Sequence, residues 1–175
     1  MATALFITRN DLVKYTAVNG NVDTDKFIQF IKISQDIHIQ NYLGSDLFDK
    51  ISDDIINEDL TGDYLSLVDT YIKPMVIHWA MVEYLPFASY TIANKGVYKH
   101  SSENSDTVVK DEIDFLIEKS RNLAQYYTDR FISYMSFNQD TYPEYNTNNN
   151  EDVYPDKNAS FEGWVLWGIN QNRKI

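Results

Sequence analysis

The chain has 175 residues, with 26 acidic against 15 basic side chains and no cysteine. That length suits one domain burying roughly 70% of its unfolded surface without staples, and the missing cysteines exclude disulfides, thiolate metal sites and thiol nucleophiles. A net charge of −11 with no run of Lys or Arg argues against tight nucleic-acid binding or docking on an anionic membrane, while an acidic wall past which DNA slides remains physically reasonable.

Met1-Ala2-Thr3-Ala4-Leu5-Phe6-Ile7 lacks the basic start and long apolar stretch of a signal peptide. Thr8 followed by Asp11 reads as a capped helix start, and that helix ends near Tyr15. Asn19-Gly20-Asn21 is turn chemistry. A second helix is predicted from about Asp25 to Tyr42, with Phe27, Phe30, Ile31, Ser34, Ile37 and His38 at spacings of three and four. Ile28, Ile33 and Ile39 broaden its buried face, and Gly44 ends it in a left-handed conformation. Ser45 caps a third helix marked by Leu47, Phe48, Ile51, Ile55 and Ile56.

The fourth helix, from about Asp63 to Tyr84, is the predicted centre. Leu65, Val68, Ile72, Met75, Val76, Trp79, Val82 and Leu85 repeat along it, and Pro74 kinks or restarts it near Ile72. The window Pro74 to Ala93 is the most membrane-like, but His78, Glu83 and two prolines make it a buried core helix. Beyond Pro86, Tyr90 to Ala93 and Val97 to Lys99 read as two short strands around Asn94-Lys95-Gly96, and a polar loop follows. A fifth helix, roughly Thr107 to Phe137, is about 45 Å long. Its stripe contains Ile113, Leu116, Ile117, Leu123, Ala124, Tyr127, Phe131 and Met135. From Asn138 onward no period appears, so a flexible arm is expected, carrying the aromatic residues Tyr142, Tyr145, Tyr154, Phe161, Trp164 and Trp167.

Chemistry is sparse. His38, His78 and His100 share no metal-ligand spacing, and core or solvated histidines are expected. Asp53-Asp54 and Asp111-Glu112-Asp114 could be drawn as a two-metal site, yet they occupy solvent-facing helix positions. Glu83, a lone charge in an apolar stretch, is expected to pair with Lys73, His78 or Lys95. Asn158-Ala159-Ser160 matches a glycosylation sequon and is treated as chance. There is no Gly-rich phosphate loop, G-x-S-x-G or H-E-x-x-H, so the sequence gives an enzyme no positive support.

An ordered set of short motifs points elsewhere. Asn41-Tyr42-Leu43-Gly44 with Leu47-Phe48 is followed by Tyr71-Ile72-Lys73-Pro74, His78-Trp79-Ala80, Glu83-Tyr84-Leu85-Pro86-Phe87, Ile92-Ala93-Asn94-Lys95-Gly96-Val97 and Ser101-Ser102-Glu103-Asn104-Ser105. Together they resemble the head–tail connector proteins of tailed phages, most closely the neck adaptor or ring protein of crAss-like phages infecting Bacteroides, over about residues 4 to 137. The resemblance implies a ring of about twelve copies, stacked beneath the portal and continuing its DNA channel toward the tail, with further neck or tail proteins as neighbours. It also implies an arm or loop that grips the portal.

The expected fold is mainly α: a helical bundle with one long C-terminal helix, a short β-hairpin insertion and an extended C-terminal arm. The body would span residues 1–137, with a hairpin and loop at about 90–105, and the arm 138–175. Phe27, Ile31, Leu47, Ile72, Trp79, Leu116, Leu123 and Phe131 form the expected core. Tyr90, Ile92, Lys95, Val97 and Tyr98 on the hairpin, with the six aromatic residues of the arm, are the expected partner and oligomer contacts. No cofactor, metal or membrane is expected, and DNA would pass without specific binding. A virion structural protein at the neck, made in the host bacterial cytoplasm, is the leading expectation. The alternative is a non-ring adaptor or regulatory protein that binds one partner through its aromatic arm. An acid-rich metal-dependent hydrolase using Asp53, Asp54 or Asp111 comes third.

Overall fold

Helices dominate the computed structural model, which describes residues 4–18, 24–88, 90–93, 96–99 and 110–158. Helix α1 (Arg9–Tyr15) opens with a closed capping box. The Asp11 amide donates to the Thr8 hydroxyl, and the Thr8 amide donates to the Asp11 carboxylate at 2.7 Å.

Helices α2 (Thr24–Ser34) and α3 (Gln40–Leu43) are separated by a π turn at Gln35–Ile39. Such a turn adds a residue and shifts the phase of everything beyond it. The buried face therefore continues through Gln35, Ile39 and Leu43, whereas Ile37, expected inside, is 53% exposed. Ile28 is exposed too, and Ile33 is half-buried. The same turn aims Gln35 at the N-terminal segment. Its side chain accepts from the Phe6 amide at 2.9 Å and donates to the Ala4 carbonyl at 3.0 Å, as a neighbouring strand would.

Helix α4 (Ser45–Ile56) follows Gly44, whose φ of +75° is positive as expected but whose ψ of 159° is extended, not left-handed helical. Ser45 does not cap this helix; its hydroxyl donates to Asp152 instead.

Helix α5 (Gly62–Leu67), a second π turn (Val68–Ile72) and α6 (Lys73–Tyr84) run on from one another. Pro74 accounts for the interruption. It has no N–H to give, and in a regular helix its ring would strike the carbonyl four residues back. Widening the preceding turn relieves both conflicts and leaves Pro74 in the first turn of α6. Met75, Val76, Ile77, Trp79, Ala80, Met81 and Val82 are buried around the whole of α6. A helix apolar on every side belongs inside a bundle, and α1, α2 and α7 (Lys110–Asn138) pack on it. Its end is a 3-10 turn at Leu85–Phe87.

Strands β1 (Tyr90–Ala93) and β2 (Gly96–Lys99) pair antiparallel, with Ile92 opposite Val97 and Thr91 opposite Tyr98. Helix α7 has 29 residues, about 44 Å at 1.5 Å each. Only its second half enters the core, through Ala124, Thr128, Phe131, Ile132 and Met135. Leu116 and Leu123 are corrections: both were expected inside, yet they are 46% and 47% exposed. Phe27, Ile31, Leu47, Ile72, Trp79 and Phe131 are buried.

The expected extended arm is also corrected as far as Asn158. Two 3-10 turns, Gln139–Thr141 and Pro143–Asn146, fold the chain back after α7. Tyr142 and Tyr145, expected as partner anchors, are instead sealed into the core at 0% and 1% exposure. Tyr142 is held by its surroundings: it packs edge-on to Tyr64, and its hydroxyl lies 3.1 Å from that of Tyr134. Tyr145 is held by its ring, edge-on to Phe131 at 6.0 Å, and its buried hydroxyl has no hydrogen-bond partner among the described residues. Among the described residues, no helix is long and apolar enough to cross a membrane.

Candidate interaction surface

The polar groups singled out in the sequence are held in structural roles. His38 lies 2.8 Å from the Glu83 carboxylate, a partner not expected for it, in place of Lys73 or His78, while Lys95 lies outside the described residues. The His38 ring stacks on Trp79 at 4.0 Å between centroids. The Trp79 indole N–H donates to Thr128 at 3.1 Å, and the Thr128 hydroxyl donates to the Ala124 carbonyl at 2.8 Å. These links tie the π turn after α2 to α6 and α7. His78 stacks on Tyr127, and burial pushes its pKa below the ordinary histidine range. Asp54 pairs with Lys50 on its own helix, while Asp53 and Asp111 are exposed. Among the described residues, no three His, Asp or Glu side chains gather to hold a metal ion. His100 lies outside the described residues.

Residues 147–156 form a clasp over the α3–α4 junction. The Asp46 carboxylate accepts from the Asn149 amide at 2.9 Å and from the Thr147 hydroxyl at 2.6 Å. Those two bonds, the backbone one first, hold its pKa below the usual carboxylate value. Nearby, Ser45 donates to Asp152 at 2.6 Å, and its amide donates to the Val153 carbonyl at 2.9 Å. The Asp156 amide reaches the Asn41 carbonyl at 2.7 Å. Gly44 completes the fit, because a Cβ there would lie 2.6 Å from the Pro155 ring. Lys157 stands over the Tyr145 ring at 4.7 Å, next to exposed Tyr154.

Among the described residues, large apolar side chains are exposed along α7 and in the groove beside it. Phe115 is 56% exposed, and Tyr126 and Phe137 are more so. Between the end of α1, α6 and α7 lies an apolar groove of about 830 Å³ lined by Tyr15, Val18, Met81, Leu85, Leu116 and Leu123. Tyr15 and His78 also border a more polar cleft of about 500 Å³ that holds Asp11, Asp69, Lys73 and Arg130. The groove thus runs from a charged end near Arg130 to the α7 N-terminal turn, where Asp111 and Glu112 stand beside Phe115 and Leu116.

Tyr90, Ile92, Val97 and Tyr98 lie on the two strands, while Lys95, Phe161, Trp164 and Trp167 lie outside the described residues. Sequence reasoning missed Phe115, Tyr126 and Phe137 as surface residues. Their signal was present: large aromatic side chains off the apolar stripe of α7, among Asp111, Glu118, Lys119 and Asp129.

The model of a family of unknown function, DUF6712, matches residues 39–155. The chain belongs to that family. The DUF6712 span opens at the end of the first π turn and closes at Pro155, so it contains both halves of the clasp, Gly44 and Pro155. Neither the curated proteins nor the solved structures give a match to this DUF6712 chain.

Proposed function

We propose that this DUF6712 protein is a structural subunit of a phage neck ring, joining portal to tail and continuing the DNA channel. The observation that carries the reading is the half-exposed α7. A helix 29 residues long sinks one half into its own bundle and presents Phe115, Leu116, Leu123 and Tyr126 to the outside. An apolar stretch of that kind on a finished core is what a subunit needs to meet its neighbours. The connector resemblance of the ordered motifs supports the reading, and a net charge of −11 suits a wall that DNA slides past. In this reading the hairpin at Tyr90 to Lys99 and the aromatic residues Tyr154, Phe161, Trp164 and Trp167 contact neighbouring copies, the portal or the next neck layer. Repetition around a closed ring turns modest contacts into a stable one.

A second reading, a non-ring adaptor holding a single partner through the same aromatic residues, differs in mass. Light scattering on the purified chain, alone and with the portal protein of the same genome, separates the two. The ring reading expects self-assembly or a defined multi-copy complex with the portal. A monomer indifferent to the portal would overturn it and favour the single-partner adaptor.

A further inference from the structure

The clasp lacks what holds the rest of the chain in place. Ahead of it Tyr142 and Tyr145 are sealed into the core, whereas from Thr147 to Asn158 Pro155 alone is buried. Thr147, Asn148 and Val153 are half-buried, and the others in that stretch are exposed. The hydrogen bonds that cross the seam reach a short stretch of the body: Gln40, Asn41, Ser45, Asp46 and Asp49. The carboxylates of Asp46, Asp49 and Asp152 accept most of them. Burial and the like charges of Asp53, Asp152 and Asp46 raise the Asp49 pKa, so the seam closes against some repulsion. Water can take over exposed polar bonds, and a segment with few buried apolar contacts opens before the core does.

The clasp is also tied to itself. The Asn148 side chain accepts from the Asp152 amide at 3.1 Å and donates to the Asp152 carbonyl at 3.1 Å. The Glu151 amide donates to the Asn148 carbonyl at 3.3 Å. Such internal bonds survive when the seam is broken, because both partners travel together.

We propose that the clasp is a latch: residues 147–156 leave the α3–α4 junction as one piece, hinged at Asn146, while the helical bundle stays folded. Covalent geometry gives the consequence. The last backbone bond to the helices is that of Asp156 on Asn41, and with the latch shut Trp164 lies within about 29 Å of Asp156. With the latch open the last sealed residue is Tyr145, and the limit for Trp164 grows to about 68 Å. The latch thus sets how far the aromatic residues after Asn158 can reach for a partner. It does not rest on the ring reading, since it concerns the chain whichever partner it meets.

Native-state hydrogen exchange on the full chain in low urea tests this. The amides of Ser45, Asn149 and Asp156 each donate across the seam, so each reports whether the latch is shut. They should be protected at least about tenfold less than the α6 amides, and with little dependence on urea, because opening the latch exposes little surface. The α6 amides should follow urea steeply. Trp79→Phe weakens the bundle and should quicken α6 about fivefold, leaving the three seam amides unchanged. Equal urea slopes at the seam and in α6, or seam amides that quicken with α6 in Trp79→Phe, would mean that the clasp opens only when the bundle unfolds, and would overturn the proposal. Three unrelated rates at the seam would equally rule out a single piece. A second variant locks the latch. Asn41→Cys with Asp156→Cys puts two thiols on residues joined by a 2.7 Å backbone bond, in a chain with no other cysteine. Ser45 and Asn149 should exchange at least about tenfold more slowly in its oxidised form than in its reduced form. The same rates in both forms would likewise sink the latch.

Discussion

A methyl group on residue 44 would meet the Pro155 ring at 2.6 Å, on a backbone with φ of +75° that side chains rarely adopt. We expect Gly44→Ala to cost roughly 1–3 kcal/mol for the backbone alone, read as a lower urea midpoint. Adding Pro155→Ala should recover the steric part, so the double variant should lose less than the two single losses combined. Strict additivity would mean the ring is not what excludes the methyl. Trp79 is the other residue on which much depends, because it joins α6 to the first π turn through His38 and to α7 through Thr128. Trp79→Ala should cost about 3–5 kcal/mol. Trp79→Phe keeps a buried ring and should lose much less, chiefly the hydrogen bond to Thr128, worth about 1 kcal/mol. A melting midpoint unchanged by Trp79→Ala would contradict the central place of this side chain.

At the scale of elements, the two π turns have different causes. The one before Pro74 relieves a covalent conflict, whereas the one at Gln35–Ile39 delivers a side chain to the backbone of residues 4–6. Gln35→Leu should leave the Phe6 amide and the Ala4 carbonyl without that partner, at about 1–3 kcal/mol. Hydrogen exchange at Phe6 should then quicken while the core of α6 stays protected; equal rates in both chains would contradict the assignment. The clasp has its own pH dependence. Asp46 has a lowered pKa in the fold, so its contribution is present above the unfolded value near 4 and is lost as pH falls through the folded value. Asp49 runs the other way: burial and the charges of Asp53, Asp152 and Asp46 raise it, so protonation relieves a strain that exists at neutral pH. We therefore expect the unmodified chain to lose more urea stability between pH 7 and pH 3 than Asp46→Asn does. Equal losses would remove Asp46 from the acid response.

At the scale of the whole molecule, the fold includes the residues after α7 up to the clasp. Burying a ring such as that of Tyr142 is worth roughly 1.5–3 kcal/mol, and Tyr145 gains less because its buried hydroxyl has no hydrogen-bond partner among the described residues, against the 5–15 kcal/mol that holds a typical domain together. A chain ending at Asn138 should therefore lose its cooperative melting transition, whereas one ending at Asn158 should melt close to the full-length protein. If the shorter chain melts normally, the 3-10 turns are an ornament on a body that stands without them.

How much of this could be read in advance differs by residue. Thr8 with Asp11 specified the start of α1, Gly44 specified a positive φ, and the apolar run of α6 specified a central helix, because each depends on neighbours in sequence. Pro74 announced an interruption, though not its form. The position of Gln35 inside and Ile37 outside was not legible, because the added residue of a π turn is favoured by what Gln35 reaches, 29 and 31 residues away in the chain. Leu116 and Leu123 sit on a stripe whose period says only that one face is apolar; whether another element covers that face is a matter of what the bundle has left to pack. Tyr142 and Tyr145 looked like anchors on a polar tail because local sequence cannot show the hydroxyls and rings waiting on α5 and α7. The sequence by itself determined where helices begin, which one is central and that thiol chemistry is absent, since capping, apolar period and composition are local or additive properties. The tertiary structure alone decided phase and burial, since these depend on pairs of residues brought together only by folding.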